Sequence, residues 1–111
     1  MINKRINKPW GYEELIELNS KYCLKKLFMK KGHRCSLQYH KKKIETIYVL
    51  EGILTIEINK EIINLNPNES KTISVRDIHR MSAVESDVLY LESSTPELED
   101  VIRIEDDFGR N

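Results

Sequence analysis

Residues 32–52 read GHRCSLQYHKKKIETIYVLEG and carry the strongest fold signal in the chain. Residues 45–49 are rich in strand-forming side chains, and the two-residue period of a strand places Glu45, Ile47 and Val49 on one face. In the preceding segment, Gln38 and His40 share a face in the same way. Because the same-face neighbours of Glu45 are apolar, we expect this carboxylate to point inward. A buried carboxylate needs a cation, a metal ion or strong hydrogen-bond donors.

The remainder of the chain has the composition of a β protein. It contains 14 Ile and 5 Val but a single alanine, so β-branched residues far outnumber the best helix former. Turn-forming residues separate short segments rich in these side chains. The predicted strands span residues 10–18, 22–30, 36–40, 45–50, 53–58, 61–65, 71–75, 81–84 and 88–92. Many short strands at this spacing predict an all-β sandwich or small barrel with little helix.

Length and composition limit the class of protein. A chain of 111 residues suits one domain, expected to span 1–111, and 40% apolar with 32% charged residues fits neither a disordered nor a membrane protein. The polar start of the chain does not resemble a signal peptide, so a cytoplasmic location is expected. Its two cysteines, Cys23 and Cys35, are accordingly expected to be reduced.

The charges balance at 18 basic and 18 acidic residues, but they are unevenly distributed. Residues 21–43 contain nine basic and no acidic residues, whereas residues 85–107 contain nine acids and one base. Nucleic-acid binding would require a basic surplus and a supporting motif, and both are missing. The basic stretch therefore indicates either a solvated lysine face or the surroundings of a pocket for a small anion, such as a sugar phosphate.

The spacing from Gly32 through Gln38, His40 and Glu45 to Gly52 resembles the first motif of the cupin family. That motif is usually Gly, five residues, His, one residue, His, three or four residues, Glu, six residues, Gly. Gln38 replaces the first histidine, as in cupins of the mannose-6-phosphate isomerase group. Residues 8–12, residues 77–80 around His79 and residues 102–110 are also similar to that group, so the resemblance covers residues 8–110.

The resemblance implies a cupin small barrel of the jelly-roll type and a divalent metal bound by Gln38, His40, Glu45 and His79. Such a mixed nitrogen and oxygen set suits Zn, Mn, Fe, Ni or Co. The second cupin motif departs from the usual pattern, because among its defining residues only His79 is retained. Lys41, Lys42 and Lys43 follow His40 where relatives carry other residues, and we expect these lysines to point outward or to meet an anionic substrate.

The same resemblance implies aldose–ketose isomerisation of a phosphorylated sugar, or a related epimerisation, with an enediol intermediate. Arg76 and Arg80 flank His79 and are candidates for holding the phosphate. No general base can be assigned from the pattern. The alternative function is a non-catalytic cupin that binds a sugar, a sugar nucleotide or a partner enzyme, and a metal-free epimerase and an iron oxygenase are further options. A homodimer is expected because small barrels of this kind usually hide an edge by pairing.

Overall fold

The computed structural model describes residues 4–110, and all regular structure in this range is β-strand. Eleven strands form two antiparallel sheets, in agreement with the predicted cupin barrel. Their bounds are β1 Lys4–Lys8, β2 Gly11–Leu18, β3 Cys23–Met29, β4 Leu37–Tyr39, β5 Glu45–Glu51, β6 Leu54–Ile58, β7 Glu61–Leu65, β8 Ser70–Ile73, β9 His79–Ser82, β10 Val88–Ser94 and β11 Ile102–Glu105.

One sheet has six strands in the order β1-β2-β3-β10-β5-β8, and the other has five in the order β11-β4-β9-β6-β7. The core between them contains Leu27, Ile47 and Tyr90 from the first sheet and Ile56 and Met81 from the second. None of the described residues belongs to a helix that could cross a membrane.

The alternation predicted for β5 is present. Glu45, Ile47 and Val49 are buried, whereas Tyr48 between them is exposed. Gly52, which ends β5, has a backbone φ of +81°, and a Cβ there would collide with the main-chain oxygen of Asp87. Both the positive φ and the lack of space require glycine at the turn into β6.

Three strand predictions differ from the structure. The polar segment Lys4–Lys8 forms β1, which pairs with β2 through a tight turn at Lys8 and Gly11. Ile102–Glu105 forms β11, although its pattern alone predicted no strand. The strand predicted for residues 81–84 begins instead at His79. His79 and Arg80 are polar, so the sequence pattern did not include them in the strand, but tertiary contacts bury them to 0% and 5% exposure.

Candidate metal centre

Three of the predicted ligands converge inside the barrel. His40 directly follows β4, Glu45 is the first residue of β5, and His79 is the first residue of β9. One ligand atom from each lies within 4.8 Å of the other two, and all three side chains are at most 1% exposed. His40 Nε2 lies 2.8 Å from Glu45 Oε1, and His79 Nε2 lies 3.3 Å from the same oxygen.

Main-chain carbonyls determine which ring nitrogen of each histidine faces Glu45. The Nδ1 atom of His40 lies 2.6 Å from the carbonyl oxygen of Asp100, and that of His79 lies 2.8 Å from the carbonyl oxygen of Asp77. Because a carbonyl only accepts, Nδ1 donates in both rings, and Nε2 of each ring is directed toward Glu45. Two imidazole nitrogens and a carboxylate then face one another, an arrangement that suits a shared cation.

Buried polar atoms without a partner also cluster here. Among the described residues, four buried side-chain atoms lack a hydrogen-bond partner, and two of them are Glu45 Oε2 and His79 Nε2. Buried polar groups without a partner are energetically costly, so these two atoms are suited to bind an ion. The donor set of two imidazoles and a carboxylate suits a divalent transition metal. His40, Glu45 and His79 could therefore bind such an ion.

Gln38, the fourth predicted ligand, lies next to this cluster. It pairs with His79 across β4 and β9, which places both side chains on the inner face. Its Oε1 atom accepts a hydrogen bond of 2.6 Å from the Ser36 hydroxyl. A carbonyl oxygen has a second lone pair, so this bond leaves Gln38 able to bind an ion as well.

A cavity of about 150 Å³ has Gln38, Lys43 and Glu92 in its wall, whereas His40, Glu45 and His79 are not among its lining residues. Its cationic lining residues are Lys8, Lys25, Lys43, Arg103 and Arg110.

Most of these cations are already paired. Lys8 and Lys25 lie 3.4 Å and 3.2 Å from Glu13, and Arg110 is bound to Asp106. The salt bridges of the described residues include neither Lys43, which is only 4% exposed, nor Arg103, whose buried Nε has no partner. Lys43 and Arg103 are therefore the lining cations without a salt bridge among the described residues, and the charge of Lys43 acts on the carboxyls of Glu45 and Glu92.

Glu92 is a buried acid that the sequence analysis did not single out. It lines the cavity and lies near the carboxylate of Glu45. Burial and the charge of Glu45 raise the pKa of Glu92 well above its usual range. Burial also acts to raise the pKa of Glu45, but its interactions with His40, His79 and Glu92 hold it well below its usual range. The alternation of Val88, Tyr90 and Glu92 was the signal that could have identified this inward carboxyl.

The two predicted phosphate ligands lie outside the cavity wall. The Arg76 side chain is exposed, and its backbone N–H donates to the carbonyl oxygen of His40 at 2.8 Å. Arg80 is buried at 5% exposure, and its guanidinium donates to the main-chain oxygens of Cys35 and Glu105. Their role in phosphate binding stays a prediction. Of the three consecutive lysines, Lys41 and Lys42 are exposed as expected, whereas Lys43 is buried.

Comparison with known proteins agrees with this geometry. Residues 1–106 match the family described as mannose-6-phosphate isomerase C-terminal. The chain belongs to this family. The match confirms the resemblance that the motif around Gln38, His40 and Glu45 indicated.

Relatives of this mannose-6-phosphate isomerase C-terminal domain are longer proteins. Mannose-1-phosphate guanylyltransferase ManC of Salmonella typhimurium is 30% identical over 98% of this chain and 24% of its own length. Alginate biosynthesis protein AlgA of Pseudomonas aeruginosa is 27% identical over 95% of this chain and 23% of its own length. The chain thus spans about a quarter of the length of these relatives.

Solved structures support the fold. KdgF from a Halomonas species superimposes with a TM-score of 0.78 at 17% identity, covering 87% of this chain and 89% of that one. An RmlC-like cupin from Shewanella frigidimarina gives a TM-score of 0.77 at 16% identity, covering 88% and 87%. At this level of identity the likeness concerns the cupin barrel, which these family members share.

Proposed function

We propose that this chain is a metal-dependent isomerase that interconverts an aldose and a ketose phosphate. One observation carries the proposal: His40, Glu45 and His79 converge at one point, and the cavity lined by Gln38, the cross-strand neighbour of His79, also has Lys43 and Arg103 in its wall, neither of which forms a salt bridge within residues 4–110. A metal cluster with a neighbouring cationic pocket suits a substrate that has oxygen ligands at one end and a phosphate at the other. Membership of the mannose-6-phosphate isomerase C-terminal family favours a hexose phosphate.

Two groups of residues have separate roles in this proposal, one in metal binding and the other in phosphate binding. His40, Glu45 and His79, with Gln38 beside them, would hold the ion, and a divalent ion supplies Lewis-acid polarisation of a substrate carbonyl or hydroxyl. Lys43 and Arg103 would bind the phosphate and orient the sugar.

Proton exchange tests this proposal. The protein is treated with chelator, reloaded separately with Zn, Mn, Fe, Ni or Co, and incubated in D₂O with mannose 6-phosphate and other sugar phosphates. We expect at least one metal to restore exchange of the proton next to the carbonyl, followed by NMR. His40→Ala is expected to abolish exchange, whereas His33→Ala is the matched control, because His33 lies outside the ligand cluster. Absence of exchange with every metal in correctly folded protein would show that the proposal is wrong.

A second function, a binding module without turnover, has one observation in its favour. Glu92, an acid in the cavity wall, is only 7% exposed, and burial and the charge of Glu45 raise its pKa, which favours the protonated form that is not a base. Calorimetry separates the two functions. Binding of a sugar phosphate or sugar nucleotide that survives both chelation and His40→Ala favours the module, and binding that requires the metal favours the isomerase.

A further inference from the structure

Asp100, in the connection between β10 and β11, contacts His40 and the loop of residues 41–43 that follows it, through both its side chain and its main chain. The carboxylate of Asp100 accepts hydrogen bonds from the backbone N–H groups of Lys41, Lys42 and Lys43, at 3.1, 2.6 and 2.9 Å. The main-chain oxygen of the same residue accepts from His40 Nδ1 at 2.6 Å. Asp100 therefore anchors the loop after His40 and orients the ring of His40 itself.

We propose that Asp100 is a positioning residue for the metal centre, which holds His40 in the Nδ1–H tautomer with Nε2 directed at the bound ion. The inference rests on the proposed function and deepens it. Hydrogen bonds from a ligating histidine to a carbonyl or carboxylate fix the ring and raise its basicity, and losing such a partner typically weakens metal binding by about 10- to 100-fold.

The carboxylate is what keeps the carbonyl in place. Residues 95–101 form no regular strand, so the sheet ladders do not hold the main chain of Asp100. The main chain at this point forms local turn hydrogen bonds, from Asp100 N–H to Glu97 at 3.3 Å and from Val101 N–H to Glu99 at 2.9 Å, and three backbone N–H groups converging on the Asp100 carboxylate add the restraint that ties it to the His40 loop. They also hold the pKa of Asp100 at about 2, although burial acts in the opposite direction. The same anchor determines where Lys43 leaves the loop to enter the cavity wall.

The contact is specific to this half of the centre. The other histidine, His79, donates to the carbonyl of Asp77, which lies only two residues before it in the chain. Its orientation can therefore form within one turn. For His40 the orienting carbonyl comes from 60 residues away, so it must be carried to the ring by the anchor.

Comparing the metal affinity of Asp100→Ala with that of the wild type measures the effect of the hydrogen bonds to the Asp100 carboxylate. Asp87→Ala is the matched control, because the Asp87 carboxylate also accepts from a loop backbone N–H, that of Lys31 at 2.8 Å, away from the metal ligands. We expect Zn²⁺ and Co²⁺ competition titrations to show about 10- to 100-fold weaker binding for Asp100→Ala and less than about threefold change for Asp87→Ala. Asp100→Asn, which keeps one acceptor oxygen, should fall between them. Wild-type affinity in folded Asp100→Ala would overturn the proposal.

Ring tautomers provide a second readout, and neither of its two measurements needs bound metal. In ¹⁵N spectra of the metal-free wild-type protein we expect His40 to be protonated at Nδ1, and in Asp100→Asn we expect a mixture of tautomers. An Nε2–H tautomer in the wild type would overturn the inference. A protein that binds metal with this dependence on Asp100 but shows no proton exchange would contradict the isomerase function and leave the positioning role intact.

Discussion

The two histidines of the candidate metal centre are oriented in different ways. His79 is bonded to Asp77 within its own turn, where the Asp77 carboxylate also accepts from the backbone N–H of Ser74 at 2.9 Å. His40 is bonded to Asp100, which belongs to a connection remote in sequence. The orientation of His79 therefore depends on local structure, whereas that of His40 depends on a tertiary contact between distant segments of the barrel. Changes to the contacts of His40 are expected to affect metal binding more strongly.

The largest expected effect is on the KM for the sugar phosphate, and it is expected from substitution of Lys43, which follows His40 and lines the cavity. Lys43→Met removes a buried cation proposed to bind the phosphate, and hydrogen bonds to charged groups contribute about 1.5–3 kcal/mol. The KM for the sugar phosphate should rise by roughly 10- to 100-fold with a smaller change in kcat. Arg76→Met, on the exposed turn before His79, is the matched control and should change KM by less than about twofold. A larger KM effect from Arg76→Met than from Lys43→Met would assign phosphate binding to the His79 side instead.

A smaller effect is expected at the turn that prepares His79. The Asn59 side chain accepts from the backbone N–H of Ile78 at 3.0 Å and donates to Asp77 at 3.1 Å. Asn59→Ala should lower the free energy of unfolding by about 1–2 kcal/mol through these two bonds. Metal affinity should change by less than about threefold, because the Asp77 carbonyl remains two residues from the ring. Urea unfolding and metal titration measure the two quantities.

Asn64→Ala on β7 is the control for that experiment, since its side chain accepts a single exposed hydrogen bond from Thr55. If metal binding weakens as much in Asn59→Ala as in Asp100→Ala, the turn before His79 does not orient the ring without the Asn59 side chain.

The smallest effect is an acid dependence confined to the segment after β11. Hydrogen bonding to the Arg110 guanidinium, opposed by burial, lowers the pKa of Asp106 to about 2. The folded-state pKa lies below the ordinary value of 3.8, so the pair stabilises the fold above about pH 4 and loses this contribution as the pH falls toward 2. The melting temperature should therefore decline over this range, and less steeply in Asp106→Asn. Arg110→Met should reduce the slope similarly, and an unchanged slope in both variants would contradict the assignment.

Much of the site was predictable because it depends on short-range patterns. Alternation around Ile47 placed Glu45 on the inner face, and the motif identified His40 and His79 as its partners. Lys43 and Glu92 were harder to identify. Lys43 follows two exposed lysines of the same type, and its burial depends on the anchor from Asp100. Glu92 lies on a predicted strand, but its contact with Glu45 depends on the pairing of β10 with β5.

The sequence by itself determined the β-rich class, the cupin family and three buried candidate ligands, because periodicity and motif spacing act over a few residues. Only the tertiary structure decided which carbonyl orients His40, which cations reach the cavity, and that Lys4–Lys8 and Ile102–Glu105 are strands. These features depend on contacts between segments far apart in the chain. A single sequence contains both partners of each contact, but not the pairing that brings them together.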